Sequence, residues 1–269
     1  MSETIGIIAG ESALPLLSCR EARRRGVRTV VAAVKGLALP GLAAEADDWA
    51  EFSLGRLGGV IRFFKRHGVR RALMIGRVKH AAIFSFWTAD AKFLRFLTQV
   101  KDRTTTSLLA ALADFFSREG IEIIDSTYFL TEHLVAAKNY TPRLRIKESL
   151  ARDIAFAWDK AWGIAALDIG QTVCAKDRAV VAVEAMEGTD RAIERAGAIA
   201  GPGLVVAKVS RPGHDMRFDV PVVGLQTMAL LEECRAAAFV LEAGRTLMLD
   251  QPEMAVRAAG KKIVLLGKT

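Results

Sequence analysis

The chain is predicted to be an α/β protein of two domains, the first Rossmann-like with a mostly parallel sheet covered by helices, the second a further α/β domain. Short apolar, β-rich runs alternate with amphipathic helical stretches at the spacing of βαβ units. A polar, basic stretch with one proline, KNYTPRLRIK, breaks that alternation near residue 138, and it resumes afterwards. The 269 residues, 51% hydrophobic and 25% charged, suffice to bury two cores of medium size. These observations predict domains at 1–137 and 147–269, joined by a linker at 138–146.

In chain order, TIGIIA at 4–9 is a strand, and the apolar spacing from Ala13 to Arg25 predicts a helix. VRTVVAAV (27–34) is a second strand, 57–67 a helix, and RALMIG (71–76) a buried strand. Two helices occupy 89–119, and IEIID (121–125) supplies another strand. In the second half a long amphipathic helix spans 147–162. Strands follow at 171–176, 179–185, 204–208, 238–241 and 263–266, with helices at 189–197, 226–235 and 252–259. In the first half, alternation of this kind argues for a mostly parallel sheet covered by helices.

Ligands of such sheets sit beyond the carboxyl ends of the strands. The rim loops of the first domain are therefore Gly10-Glu11-Ser12, Gly76-Arg77-Val78-Lys79 and Asp125-Ser126-Thr127, and Gly10, Ser12 and Lys79 are candidate substrate contacts. Glycines there either let backbone amides reach an anion at a helix start or simply turn the chain. The first loop reads Gly6-Ile-Ile-Ala-Gly10-Glu-Ser-Ala, which is not GxGxxG, so a dinucleotide fingerprint is absent.

The densest chemistry lies between Leu167 and Gly224, where Asp168, Glu184, Glu187, Asp190, Asp215 and Asp219 are interleaved with Lys208, Arg211 and Arg217. Oxygen ligands beside cations suit a hard ion such as Mg²⁺ or Mn²⁺ together with a phosphate, and the same residues also suit ordinary turns and surfaces. In VEAMEGTD, Glu184 ends a strand and faces either core or cleft, while Thr189 or Asp190 can cap the next helix or present donors to a phosphate. In RFDVP, Arg217 and Asp219 share a side if the segment is extended. They form either a salt bridge or a metal-binding or water-activating carboxylate beside a phosphate clamp.

The net charge of +8 favours anionic partners: nucleotides, phosphorylated substrates, nucleic acid or an acidic membrane surface. The basic residues are scattered without interleaved stacking aromatics, which argues against a nucleic-acid module. Ser12 lacks the second glycine of a nucleophile elbow, and the four histidines show no zinc spacing. Cys19, Cys174 and Cys234 are isolated, as reduced thiols in a cytoplasm would be. With no leader pattern and no apolar run of spanning length, a cytoplasmic protein is expected, in peripheral contact with a membrane at most. Phe84, Phe86, Trp87, Phe93 and Phe96 fit either core packing or an apolar groove for an acyl chain.

The segments IAGESALP, IGRVKHAAIFS, LDIGQTVCAKDRAVVAVEAMEGTD and AKVSRPGHDMRFDVPVVGLQTM, in that order and over nearly the whole chain, resemble the LpxI-type UDP-2,3-diacylglucosamine diphosphatases of lipid A biosynthesis. The resemblance implies hydrolysis of the pyrophosphate bond of UDP-2,3-diacylglucosamine to UMP and 2,3-diacylglucosamine 1-phosphate (lipid X). It also implies a divalent metal, Mg²⁺ or Mn²⁺, two domains closing on a lipid substrate, and a homodimer; beside it, peripheral contact with the cytoplasmic face of the inner membrane is expected. The family's critical aspartate maps onto Asp219, to bind the metal or activate water. On that reading Glu187 and Asp190 help hold the metal, and Thr189, Lys208 and Arg217 contact phosphate. Asp168 and Gln171 shape the surroundings, Gln171 on the substrate side. Two rival functions share these features: a nucleotide-sugar transferase, and a non-catalytic protein that binds an acylated sugar nucleotide.

Overall fold

A computed structural model of the chain describes residues 3–78, 89–100, 105–218 and 220–269. It divides into two compact units, Met1–Thr131 with Asp215–Asp219, and Glu132–His214 with Val220–Thr269.

The first unit holds β1 (Thr4–Ala9), α1 (Leu14–Arg24), β2 (Arg28–Val34), α2 (Leu42–Glu45), β3 (Asp48–Phe52), α3 (Leu57–Arg66), β4 (Arg71–Ile75), α4 (Ala91–Gln99), α5 (Thr105–Arg118) and β5 (Glu122–Ile123). Its strands run parallel in the order β3-β2-β1-β4-β5, the doubly wound arrangement, with the reversal of order between β1 and β4. The apolar residues of β1 and β2 are buried on both faces, Ile8 alone being only partly covered, which their near-continuous aliphatic runs anticipate. Leu57, Val60, Ile61 and Phe64 repeat at i, i+3, i+4 and i+7, and that stripe is the buried face of α3. Asp90 caps two helices at once. Its Oδ1 accepts the Phe93 amide of α4 at 2.9 Å, and its Oδ2 accepts the Gly58 amide of α3 at 2.7 Å.

The edge strand β3 and the short α2 were not anticipated, because DWAEF is brief and only half buried and so carries no clear period. A more distant surprise closes this core. Phe218, 4% exposed, packs with Phe64, Phe116 and Ile121, and Ser126 donates from both its amide (3.0 Å) and its hydroxyl (2.9 Å) to the Met216 carbonyl.

The second unit comprises α6 (Glu148–Ala166), β6 (Thr172–Lys176), β7 (Ala179–Val183), α7 (Thr189–Ala200), β8 (Val205–Lys208), β9 (Val222–Val223), α8 (Leu225–Glu233), β10 (Ala238–Glu242), β11 (Leu247–Met248), α9 (Gln251–Gly260) and β12 (Val264–Lys268). The main sheet, β12-β10-β8-β6-β7, is mixed: β12, β10 and β8 are parallel, while β6 runs antiparallel to both β8 and β7. A two-residue loop, Asp177-Arg178, joins β6 to β7 with φ of 49° and 59°, the positive-φ pair that a type I′ hairpin requires. A separate pair, β9 and β11, is too short for its pattern to show in the sequence.

Residues 138–146, expected as a linker, lie against β12. The Tyr140 amide donates to the Leu265 carbonyl at 2.9 Å, the Gly267 amide to the Lys138 carbonyl at 2.8 Å, and the Leu265 amide to Thr141 Oγ1 at 3.0 Å. The open edge of β12 needs partners for its amides, and a polar stretch satisfies them as well as solvent does.

Candidate active site

At the reversal point of the first sheet, the expected rim glycines meet each other. A Cβ on Gly10 would lie 2.7 Å from the Arg77 carbonyl oxygen, and one on Gly76, at φ 97°, would lie 2.7 Å from the Gly10 carbonyl carbon. The Gly10 amide donates to the Ile75 carbonyl (2.9 Å), while Glu11 and Arg77 exchange amide–carbonyl bonds of 2.9 and 3.0 Å. These amides lock β1 to β4 and so are not turned to a ligand. Ser12 Oγ accepts the Leu14 amide at 3.2 Å, setting the start of α1. In the third rim loop, Asp125 Oδ1 accepts both the amide and the hydroxyl of Thr127 at 2.7 Å. Lys79 lies outside the described residues, as do Phe84, Phe86 and Trp87; Phe93 and Phe96 are core, each 3% exposed.

The second unit gathers most of the remaining expected residues at one edge of its sheet. Thr172, the first residue of β6, pairs with Lys208, the last of β8, and Leu241 of β10 lies opposite Lys208 on its other side. The Glu184 amide bonds the Thr172 carbonyl at 2.9 Å just beyond β7, and α7 begins at the same edge with Thr189. Lys208 Nζ donates to Thr189 Oγ1 at 2.7 Å and to Thr172 Oγ1 at 3.4 Å. Its ion pair with Glu184 Oε2 spans 3.7 Å, and the Thr189 hydroxyl donates to Glu184 Oε1 at 3.0 Å. Burial is high, with side chains only 6% exposed at Lys208 and 12% at Glu184, so both charges need partners within the protein.

Adjoining loops complete the edge. A Cβ on Gly170 would fall 1.9 Å from the Glu184 carbonyl oxygen, so only glycine lets these two loops cross so closely. The Gln171 carbonyl accepts the Val209 amide at 2.9 Å, and Asp168 pairs with Arg211 Nε at 2.8 Å. Glu242, 7% exposed at its side chain, accepts the Ser210 amide at 2.5 Å and pairs with Arg245 at 3.7 Å. Glu242 was missed, although a charged residue closing an apolar strand, as in AFVLE, is the same signal that marks Lys208 in VVAK.

The other expected acids point elsewhere. Glu187 pairs with Arg195 Nη2 at 2.6 Å and accepts the Ala185 amide at 3.1 Å, and the Arg195 bond holds its carboxyl below the usual carboxylate range. Asp190 Oδ1 accepts the Thr227 hydroxyl at 2.8 Å, tying α7 to α8. Arg217 belongs to the first unit and grips Asp215 through Nε (3.0 Å to both oxygens) and Nη2 (2.6 Å), which raises its own pKa. Asp219 lies outside the described residues. Among the described residues no three His, Cys, Asp or Glu side chains converge as a metal group. Of the expected metal ligands, Glu187 and Asp190 are among the described residues and Asp219 is not. Burial pushes the Cys174 thiol up to about 12 and the Cys19 thiol to about 11, so both stay protonated near neutral pH.

A doubly wound parallel unit followed by a mixed α/β unit, with polar side chains gathered at the strand ends of the second, defines the class: a two-domain α/β protein. The model of the LpxI N-terminal domain matches residues 4–133, and that of the LpxI C-terminal domain matches 138–266. The chain is also 30% identical over 280 aligned residues to the UDP-2,3-diacylglucosamine pyrophosphatase LpxI of Caulobacter vibrioides, covering 98% of this chain and 96% of that protein. The chain belongs to the LpxI family.

Proposed function

We propose that this chain hydrolyses the pyrophosphate bond of UDP-2,3-diacylglucosamine, releasing UMP and 2,3-diacylglucosamine 1-phosphate for lipid A biosynthesis. The observation that carries the reading is the partly buried Thr172–Glu184–Thr189–Lys208 cluster under the first turn of α7, in a chain matched along its length by LpxI. The first turn of α7 has no side-chain cap on Gly188, so the backbone donors of that turn and the helix dipole favour an anion there.

In the proposed reaction water attacks the phosphorus nearer the sugar, the bridging P–O bond breaks, and UMP leaves with the bridging oxygen. Asp219 is the proposed residue that takes the water proton or holds the metal. The buried Lys208 adds positive charge to the edge where the diphosphate charge must be met. Mg²⁺ or Mn²⁺ belongs to the proposal as a source of charge neutralisation, with Asp219 needed in its donor set. Further parts of the proposal are a homodimer and peripheral contact with the cytoplasmic face of a membrane, the latter supported by the net charge of +8. Among the described residues no helix is long and apolar enough to cross a membrane.

The test is incubation with UDP-2,3-diacylglucosamine, with and without Mg²⁺, followed by mass analysis. UMP and the 1-phosphate are expected. Release of UDP instead would favour a transferase, and tight binding without turnover a carrier of acylated sugar nucleotides.

A further inference from the structure

The chain leaves the second unit after His214, runs through Asp215–Asp219 in the first, and re-enters the second at Val220. Residues 242–247 hold it on both sides of that excursion. Glu242 Oε2 accepts the Ser210 amide at 2.5 Å, Arg245 Nη1 donates to the His214 carbonyl at 3.1 Å, and the Leu247 amide donates to the Pro221 carbonyl at 2.8 Å. Between the first two anchors lies a tight turn. The His214 amide bonds the Arg211 carbonyl at 3.0 Å, and Pro212 and Gly213, the latter at φ 68°, suit the central positions of a type II turn. The excursion is itself turned: Asp215 Oδ1 accepts the Arg217 amide at 3.0 Å, and the Phe218 amide bonds the Asp215 carbonyl at 3.0 Å. Neither stretch is slack, so a shift at the roots is passed along the segment.

We propose that Glu242 is a positioning residue for the hydrolysis: through the Ser210 amide and its ion pair with Arg245 it fixes the point from which the segment bearing Asp219 departs, and it does not touch the substrate. This rests on the diphosphatase reading, in which Asp219 takes the water proton or holds the metal. Glu242 ends β10 with its side chain 7% exposed, and a carboxylate is costly to bury unless it meets a donor. The Ser210 amide is that donor, in a bond of the strong, charge-assisted kind. Arg245 is 42% exposed, so solvent screens its 3.7 Å ion pair and the Ser210 bond carries more of the restraint. Catalysis needs such restraint, because displacing a reacting group by about 1 Å can cost about 100-fold in rate.

The experiment compares Glu242→Gln, which keeps an oxygen for the Ser210 amide but not the charge, with Glu242→Met, which removes the acceptor. It reads kcat and KM for UDP-2,3-diacylglucosamine, and Tm. Glu242→Met is expected to lose about tenfold or more in kcat with KM within about twofold, and Glu242→Gln to stay within about threefold of the parent in both. A Glu242→Gln variant as slow as Glu242→Met, or a raised KM in either, places the carboxylate itself on the substrate or an ion and overturns the proposal. Parental kcat in Glu242→Met, whatever its Tm, overturns it too, by making the bond structural only. If Glu242→Met does not fold, Arg245→Met takes its place: a lowered kcat at parental KM supports the proposal, and a parental kcat or a raised KM overturns it. A parent chain that fails to hydrolyse the substrate refutes the diphosphatase reading itself, a separate outcome seen before any variant is made.

Discussion

Gly76 illustrates how a single residue is constrained from two directions. Its φ of 97° is unfavourable for any side chain, and the missing Cβ makes room for the Gly10 backbone. Gly76→Ala is expected to cost on the order of 1–3 kcal/mol, read as a lower denaturation midpoint with an unchanged slope. At Asp219 the expectation is opposite in kind. Asp219→Asn should keep the parental Tm and lose about 100-fold or more in turnover, the scale of a missing proton acceptor. Full activity in that variant removes Asp219 from the mechanism. Both glycines of the first rim loops were visible in the sequence, but their mutual contact was not, since nothing local distinguishes a glycine that admits a ligand from one that admits another backbone.

Among the elements, α8 and α9 are joined by Glu232 and Arg257, with Nε–Oε1 and Nη2–Oε2 bonds of 2.7 and 2.8 Å. The bond from Arg257 is the main reason that the Glu232 carboxyl is held below its ordinary value of 4.5. A depressed folded-state pKa adds stability above the unfolded value, and that increment disappears as pH falls through the folded one. Glu232→Gln should therefore be less stable than the parent at pH 7, with the gap closing below about pH 4.5, as followed by Tm across pH. An unchanged gap would show that the pair contributes nothing through ionisation. The helices themselves were legible from their apolar spacing, whereas the clamp between them depends on how they pack. At α7 the expected cap, Thr189 or Asp190, does not form: Gly188 is the N-cap, Thr189 bonds Glu184 and Asp190 accepts the Thr227 hydroxyl, partners that come from other segments.

For the whole molecule, the family assignment and the proposed chemistry make metal removal the decisive measurement. EDTA is expected to abolish hydrolysis, and Mg²⁺ or Mn²⁺ to restore it; chelator-resistant turnover would count against the ion. The alternation of strands and helices and the division into halves were determined by sequence alone, because side-chain periodicity reports which face of each segment is buried. Only the tertiary structure decided that β6 enters the second sheet antiparallel, that 138–146 covers an edge, that residues 215–218 complete the first core, and that Glu184 and Lys208 share Thr189. Those outcomes depend on pairing between segments far apart in the chain, and local patterning says which groups seek burial without saying which partners they find.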